Sequence, residues 1–319
     1  MKQAADIRHV VLAGSGVMGA SFAQIFAAHG YSVTLYDIAK EALDKAASLI
    51  AINQKAMVDQ GALTQEESRD LVQQIRYTTE KAVFTRADFV LEAIVEKMAV
   101  KHSFWPEVSE LVGEDVVLAT NTSGLSISQI AQAVKHPERF AGMHWVNPPH
   151  LIPLVEVIAG EKSSTDCLET IRSLALRLEQ HPVMVHKDPP GFVLNRLQYA
   201  LLREACHIVE EGYASLEDVD SVMKYGLGMR YACLGPFETV DFGGIDVFYN
   251  VGSYLFGQLC NDTCVPRIIQ ENFEAGRLGV KSGAGFHDYS GDKAAKAIAK
   301  RDAEFLKLSQ CLFGKREDV

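Results

Sequence analysis

An apolar run, His9-Val-Val-Leu-Ala13, passes without interruption into Gly14-Ser-Gly16-Val-Met-Gly19, and apolar residues then recur at Met18, Phe22, Ile25 and Phe26. Strand, glycine turn and amphipathic helix in immediate succession leave a chain few ways to fold. The spacing predicts a buried strand over 9–13 and a helix stopped by His29-Gly30. In such a unit the first glycine permits the tight turn, the second lets backbone approach a pyrophosphate and the third lets helix pack on strand. Val17 and Met18 open the helix whose N-terminal amides face the ligand. A second apolar strand, Ser32-Val-Thr-Leu-Tyr36, ends in Asp37, 23 residues beyond Gly14. A carboxylate there binds ribose hydroxyls and repels a 2′-phosphate, so NAD is expected rather than NADP. The other role open to Asp37 is to cap the helix beginning near Glu41.

The pattern continues through the first half. Glu41 to Gln74 is a polar helical stretch broken at Gly61-Ala-Leu-Thr64, where Thr64 and Glu67 have capping-box spacing, so a helical hairpin is expected. Insertions at such strand ends commonly reach over the ligand. Strands are expected at Ile75 to Thr78, Asp88 to Ile94, Val116 to Thr120, Ala141 to His144 and Val183 to Val185. Glu92 and Glu96 fall at a strand's carboxyl end, either as cofactor contacts or as the solvated start of a helix. Val116 to Thr120 opens into Asn121-Thr-Ser123-Gly124, and Asn121 joins Glu96 among the expected cofactor contacts. Ser126 and Gln129 already cap the next helix, which leaves Ser123 for another task at the ligand-binding edge.

One stretch carries polar groups where a core needs none. His144, Asn147-Pro148 and Glu156 are embedded in two apolar runs that end at Ile158. Taken alone, His144 reads as a core group satisfied by Glu156, with Asn147-Pro148 as a turn. On the same rim as the glycine loop and Ser123, the set reads as chemistry instead. Oxidation of a secondary alcohol needs a base for the hydroxyl proton while hydride leaves the carbon. Imidazole suits that task because it titrates near neutral pH, and a carboxylate can fix its tautomer. Ser123 can hydrogen-bond the substrate oxygen as it becomes a carbonyl. Asn147 can meet the nicotinamide carboxamide or the substrate.

Bulk properties narrow the class. With 319 residues the chain suits two domains, and a formal charge of -10 excludes a general binder of nucleic acid or anionic membrane. No apolar run reaches the roughly 18 residues of a membrane span, and Met1 to Arg8 lacks a signal-peptide core, so a cytoplasmic setting is expected. Six cysteines without a CxxC pair read as reduced thiols. Cys260 and Cys264 have no partners at zinc-ligand spacing, and no metal is expected.

Lys187-Asp-Pro-Pro-Gly191 reads as a hinge dividing an NAD-binding domain, 1–188, from a substrate and dimerisation domain, 189–319. Helices are expected from Phe192 to Glu211, from Ser215 to Gly226, from Pro236 to Leu259 and from Val265 to Ala275. A glycine turn at 283–286 and a solvated helix at 293–307 complete the tail. Asn195, in the first turn of the first of these helices, is either a cap-region residue or a substrate contact. The aromatic and Leu-rich helices bury either a dimer interface or a monomer core. The expected fold class is α/β, an N-terminal Rossmann-type doubly wound sheet with an inserted helical hairpin, followed by an all-α C-terminal domain.

Five motifs in fixed order resemble the L-3-hydroxyacyl-CoA dehydrogenase family over nearly the whole chain. They are Gly14 to Gly19, Asn121-Thr-Ser123, His144 with Asn147-Pro148, Leu154 to Ile158, and Gly191-Phe-Val-Leu-Asn195-Arg196. The resemblance implies an active-site set of Ser123, His144, Glu156 and Asn195, with His144 as base, and a homodimer formed through the second domain. The chain departs from members that act on CoA thioesters. Only Lys55 stands where their hairpin usually carries several lysines, Trp145-Val146 replaces Phe-Phe, and Pro149 follows Pro148. Gly228-Met-Arg230-Tyr231 through Gly235-Pro236 replaces the usual Gly-Tyr-Pro-Met-Gly-Pro. That version resembles the branch containing L-gulonate 3-dehydrogenase (the lambda-crystallin type), carnitine dehydrogenase and pyridine-carboxylate dehydrogenases.

Arg230 sets the expected substrate. In a pocket its guanidinium clamps a free carboxylate through two parallel hydrogen bonds, which a thioester carbonyl cannot match. Elsewhere it is an exposed or interface salt bridge. The expectation is an NAD-dependent dehydrogenase oxidising a secondary (L-3-)hydroxyl of a small hydroxy acid. The alternatives are an L-3-hydroxyacyl-CoA dehydrogenase of fatty-acid metabolism and a non-catalytic NAD-binding structural protein. The intact Ser123, His144 and Glu156 argue against the last.

Overall fold

The computed structural model describes residues 1–59 and 61–313. Residue 60 and positions 314–319 of the second expected domain lie outside it. Clustering of the backbone gives two units, Met1–Asn195 and Arg196–Val319. In the first, strands β1 (His9–Ala13), β2 (Ser32–Tyr36), β3 (Ile75–Thr78), β4 (Phe89–Glu92), β5 (Val117–Thr120), β6 (Phe140–Trp145), β7 (Leu154–Ile158) and β8 (His181–Val185) form one sheet. Its order is β3-β2-β1-β4-β5-β6-β7-β8. Every pairing is parallel except that of β6 with β7.

The apolar strands explain the layering. Alternate residues point to opposite faces, so Val10 and Leu12 enter one core while Val11 and Ala13 enter the other. The first core packs beneath α1 (Val17–Ala28), α2 (Lys40–Asp59) and α3 (Gln65–Gln73). The second lies under α4 (Met98–Leu111) and α5 (Ile127–Ala131). The first face is completed by α6 (Thr165–Arg177), through Cys167, Ile171 and Leu174. With both faces covered, a central strand must be apolar along its whole length, which is how β1 reads. The expected hairpin is present. Thr64 accepts from the Glu67 N–H and Glu67 accepts from the Thr64 N–H, closing the capping box at the start of α3.

The second unit is helical with local differences from expectation. The long helix starts at Leu194, as α7 (Leu194–Glu210), rather than at Phe192. The helix from Ser215 does not end at Gly226. Instead α8 (Leu216–Val222) continues through a π-helical turn, Met223–Gly228, into α9 (Met229–Tyr231). Glycine stops a helix when it turns left-handed, and Gly226, inside the π turn, is not among the glycines with positive φ. The stretch expected as one helix from Pro236 is broken at Gly244, whose φ of 91° separates α10 (Pro236–Gly243) from α11 (Ile245–Leu255). After α12 (Arg267–Glu274), bridges between Gly279 and Ala284 and between Ala284 and Asp288 add a small β-turn element before α13 (Lys293–Phe313). Apart from these isolated bridges the described residues of the second unit form helices and turns, as expected. No helix of the described residues is long and apolar enough to cross a membrane.

The β1–α1 turn is the tightest packing point. Gly14 has φ 99°, and a Cβ on Gly19 would stand 1.9 Å from the Gly14 carbonyl oxygen. Backbone cannot yield there. Gly19→Ala is expected to destabilise the protein by about 1–3 kcal/mol through overpacking and to weaken NAD binding, measured by urea unfolding and nucleotide titration.

Candidate active site

The carboxyl ends of β1, β2, β4, β5 and β6 build the site. At the first, the Gly14 N–H donates to the Tyr36 carbonyl, and Gly16 opens α1 with no capping side chain and no acidic residue in the first turn. The first-turn N–H groups thus lack an acceptor, and nothing lies within 4 Å of where a Gly16 Cβ would stand. Open amides beside vacant space suit a pyrophosphate. Asp37 ends β2 and accepts from the Ser15 N–H and hydroxyl, each at 2.8 Å, and from the Ala39 N–H at 3.0 Å. Three donors leave part of the roughly four acceptor sites of a carboxylate for a ribose hydroxyl. Asp37 therefore does local turn work, at Ala39, and remains able to face a ligand.

The ends of β4 and β5 are joined by a buried charged cluster. Glu92 is fully buried and accepts from the Ile94 N–H, the Thr120 hydroxyl at 2.8 Å and the Lys101 ammonium at 2.5 Å. Lys101, 1% exposed, also reaches Glu96 at 3.2 Å. Glu96 in turn accepts from the Thr122 hydroxyl and, at 2.9 Å, from the Ser123 N–H. Partial burial opposes ionisation of Glu96. The Thr122 hydrogen bond, the Lys101 charge and the Ser123 N–H outweigh it and hold the carboxyl below its ordinary range. Glu96, expected as a cofactor contact, thus braces the Ser123 loop. Ser123 itself stays exposed, and its carbonyl accepts from the Asn195 side-chain amide at 2.8 Å. The Asn121 side-chain oxygen Oδ1 accepts from the Trp145 N–H at 2.9 Å, tying the end of β5 to the end of β6.

The antiparallel pairing of β6 with β7 sets His144 directly opposite Glu156. Residues opposite one another share a face, and the imidazole Nδ1 lies 2.8 Å from the Glu156 carboxylate. His144 is 4% exposed and Glu156 1%. The second oxygen of Glu156 accepts from the Val193 and Leu194 N–H groups, both at 3.0 Å. Burial opposes the charge on Glu156, but hydrogen bonds from His144, Leu194 and Val193 prevail and hold its carboxyl below the usual range. Asn147 is exposed and precedes Pro148 through a cis peptide.

The structure therefore gathers Ser123, Asn195 and Glu96 into one bonded set, ties Asn121 to Trp145 and Glu92, and pairs His144 with Glu156. Arg230 lies exposed in the second unit, at the start of α9. Sequence reasoning missed Lys101, Thr122 and Ser15. For Lys101 a signal existed, because Lys101, Trp105 and Val108 share the buried stripe of α4 and a charge there needs a partner. Among the described residues no group of His, Cys, Asp or Glu could hold a metal.

Open helix amides beside a ribose-competent carboxylate, with a buried His–Glu pair on the same sheet, define a nucleotide-dependent dehydrogenase. The chain matches the family description "3-hydroxyacyl-CoA dehydrogenase, NAD binding domain" over residues 9–189 and "3-hydroxyacyl-CoA dehydrogenase, C-terminal domain" over 191–289. It belongs to the 3-hydroxyacyl-CoA dehydrogenase family and is an NAD-dependent oxidoreductase acting on a hydroxyl group. It is 35% identical to a 5-formyl-3-hydroxy-2-methylpyridine 4-carboxylate 5-dehydrogenase of Mesorhizobium japonicum, over 97% of this chain and 99% of that one. A 3-hydroxyadipyl-CoA dehydrogenase of Escherichia coli is 34% identical over 91% of this chain, which spans 61% of that relative's length. A crystal structure described as a dehydrogenase of the same pyridine carboxylate, "an NAD+ dependent dismutase", superposes with TM-score 0.89 at 34% identity, over 97% of this chain and 100% of that one.

Lys101→Met would leave Glu92 buried without its countercharge. The expected loss is about 3–5 kcal/mol of stability in urea unfolding, with part of it recovered when Glu92→Gln is added.

Proposed function

We propose that this protein oxidises the secondary hydroxyl of a small hydroxy acid carrying a free carboxylate, with His144 as the base. The observation that carries the reading is the buried His144–Glu156 pair. With Nδ1–H donating to Glu156, the neutral imidazole keeps its lone pair on Nε2, the atom that takes the hydroxyl proton. Glu156 holds that tautomer and stabilises the imidazolium that forms. The Ser123 hydroxyl donates to the substrate oxygen as it becomes a carbonyl, and Asn195 holds the Ser123 loop and contacts substrate. Gly14, Gly16, Val17, Met18 and Gly19 would hold the NAD pyrophosphate, Asp37 the adenosine ribose, and Glu96, Asn121 and Asn147 the nicotinamide end. NAD, when bound, supplies the hydride acceptor.

The free carboxylate is read from Arg230 and from the Mesorhizobium relative, whose name specifies a pyridine carboxylate. The Escherichia coli relative, named for a CoA thioester, favours a second reading as an L-3-hydroxyacyl-CoA dehydrogenase of fatty-acid metabolism. In the proposal, residues 1–188 bind NAD and 189–319 bind substrate and a second copy of the chain. The homodimer is supported by the second unit, in which Phe237 is 84% and Phe242 81% exposed. A cytoplasmic setting is supported by six free cysteines.

Two measurements test these statements. With NAD, kcat/KM on free hydroxy acids, including carnitine, gulonate, 3-hydroxybutyrate and pyridine carbinols, should exceed that on 3-hydroxybutyryl-CoA. His144→Asn should lower kcat about 10²–10⁴-fold. Arg230→Met should lower kcat/KM on the acids at least about tenfold, the loss of a charge-assisted pair. A wild type that prefers the thioester, with Arg230→Met unaffected, rejects the free-acid reading. Sedimentation equilibrium should give twice the chain mass, and Phe242→Asp should shift it toward the single chain.

A further inference from the structure

Three donors from two elements converge on one buried carboxylate. One is the imidazole on β6, and the others are backbone N–H groups of Val193 and Leu194, the entry to α7. Helix-entry N–H groups have no partner within their own helix, so an acceptor there is expected. What needs a cause is how they come to face Glu156. The residue before them, Phe192, has φ 49°, in the left-handed region that residues other than glycine rarely adopt. Its own N–H donates to the Pro189 carbonyl at 2.9 Å, closing the turn. Glycine would take this conformation at less cost, yet a phenylalanine stands here, fully buried, with its ring 5.7 Å from the His144 imidazole. A strained backbone kept at a large buried residue indicates that both its turn and its ring are used.

We propose that Phe192 is a positioning residue for the His144–Glu156 pair: its left-handed backbone aims the Val193 and Leu194 N–H groups at Glu156, and its ring fixes the plane of the imidazole. The function of the pair as base and partner rests on the reading given above, whereas the positioning itself is read by spectroscopy without turnover. The entry to α7 then sets the orientation of the base through hydrogen bonds rather than by touching substrate.

Leu194→Pro tests the N–H donors. Proline is tolerated in the first turn of a helix, removes one donor and places a methylene where its hydrogen pointed. Leu194→Ala, which keeps the N–H, is the reference for loss of the side chain. Relative to that reference, Leu194→Pro should lower kcat at least about tenfold with the KM for NAD nearly unchanged, as expected for a misaimed base. The downfield proton resonance of His144 Nδ1–H should shift or broaden. Phe192→Gly, which adopts the turn freely but lacks the ring, should lower kcat in the same way, and it carries the test if the proline variant does not fold. Equal kcat and an unchanged resonance in these variants overturn the proposal. If His144→Asn retains turnover, the base assignment fails, and the Nδ1–H resonance still decides whether Phe192 and α7 position the imidazole.

Discussion

An ionised carboxylate at 1% exposure persists only if donors replace the water it has lost, and at Glu156 they come from separate parts of the chain. The imidazole arrives on β6 and two N–H groups arrive at the entry to α7. Each requirement propagates outward. Glu156 must stand opposite His144, so β7 must run antiparallel to β6 in that register, the one reversal in an otherwise parallel sheet. The chain must also return after β8 to deliver Val193 and Leu194, which the turn at Pro189 to Phe192 accomplishes.

A second anchoring system holds the Ser123 loop. Glu92, Lys101 and Glu96 lock the ends of β4 and β5, and through the Ser123 N–H they fix a loop whose hydroxyl remains exposed. The two systems meet in α7, because Leu194 donates to Glu156 while Asn195 donates to the Ser123 carbonyl. Adjacent residues of one helical turn therefore tie the His144–Glu156 pair to the Ser123 loop. A buried Lys–Glu pair adds little net stability compared with apolar packing, so its value here lies in geometry.

The sequence made visible what depends on local pattern. β1, the glycine turn and Asp37 were legible because a doubly covered strand must be continuously apolar and the turn admits few residue types. The capping boxes were legible because their partners lie three residues apart. His144 and Glu156 were legible as polar interruptions of apolar runs, although only the register of β6 and β7 shows them facing. What depends on distant partners was hidden. Glu96 read as a ligand contact, and its bonds to Lys101, Thr122 and the Ser123 N–H, which brace the loop, come from partners the local pattern does not reveal. Gly226 looked like a helix stop, yet a glycine holding helical angles stops nothing, and the backbone widened into a π turn instead.

The distribution of these contacts separates chemistry from selectivity. Among the described residues, these hydrogen bonds of His144, Glu156 and the Ser123 loop are internal to residues 1–195, so this set can be kept while the rest of the chain changes. Arg230, the residue that departs most clearly from CoA-dependent members, belongs to the other unit. Relatives named for a pyridine carboxylate and for a CoA thioester are about equally identical to this chain, at 35% and 34%, so identity alone cannot choose between them. In the proposed oxidation the proton leaves the hydroxyl oxygen and the hydride leaves the carbon that bears it, whatever group lies beyond. Chemistry and selectivity are thus assigned to residues far apart in the sequence, and under the proposal a guanidinium favours a carboxylate over a thioester.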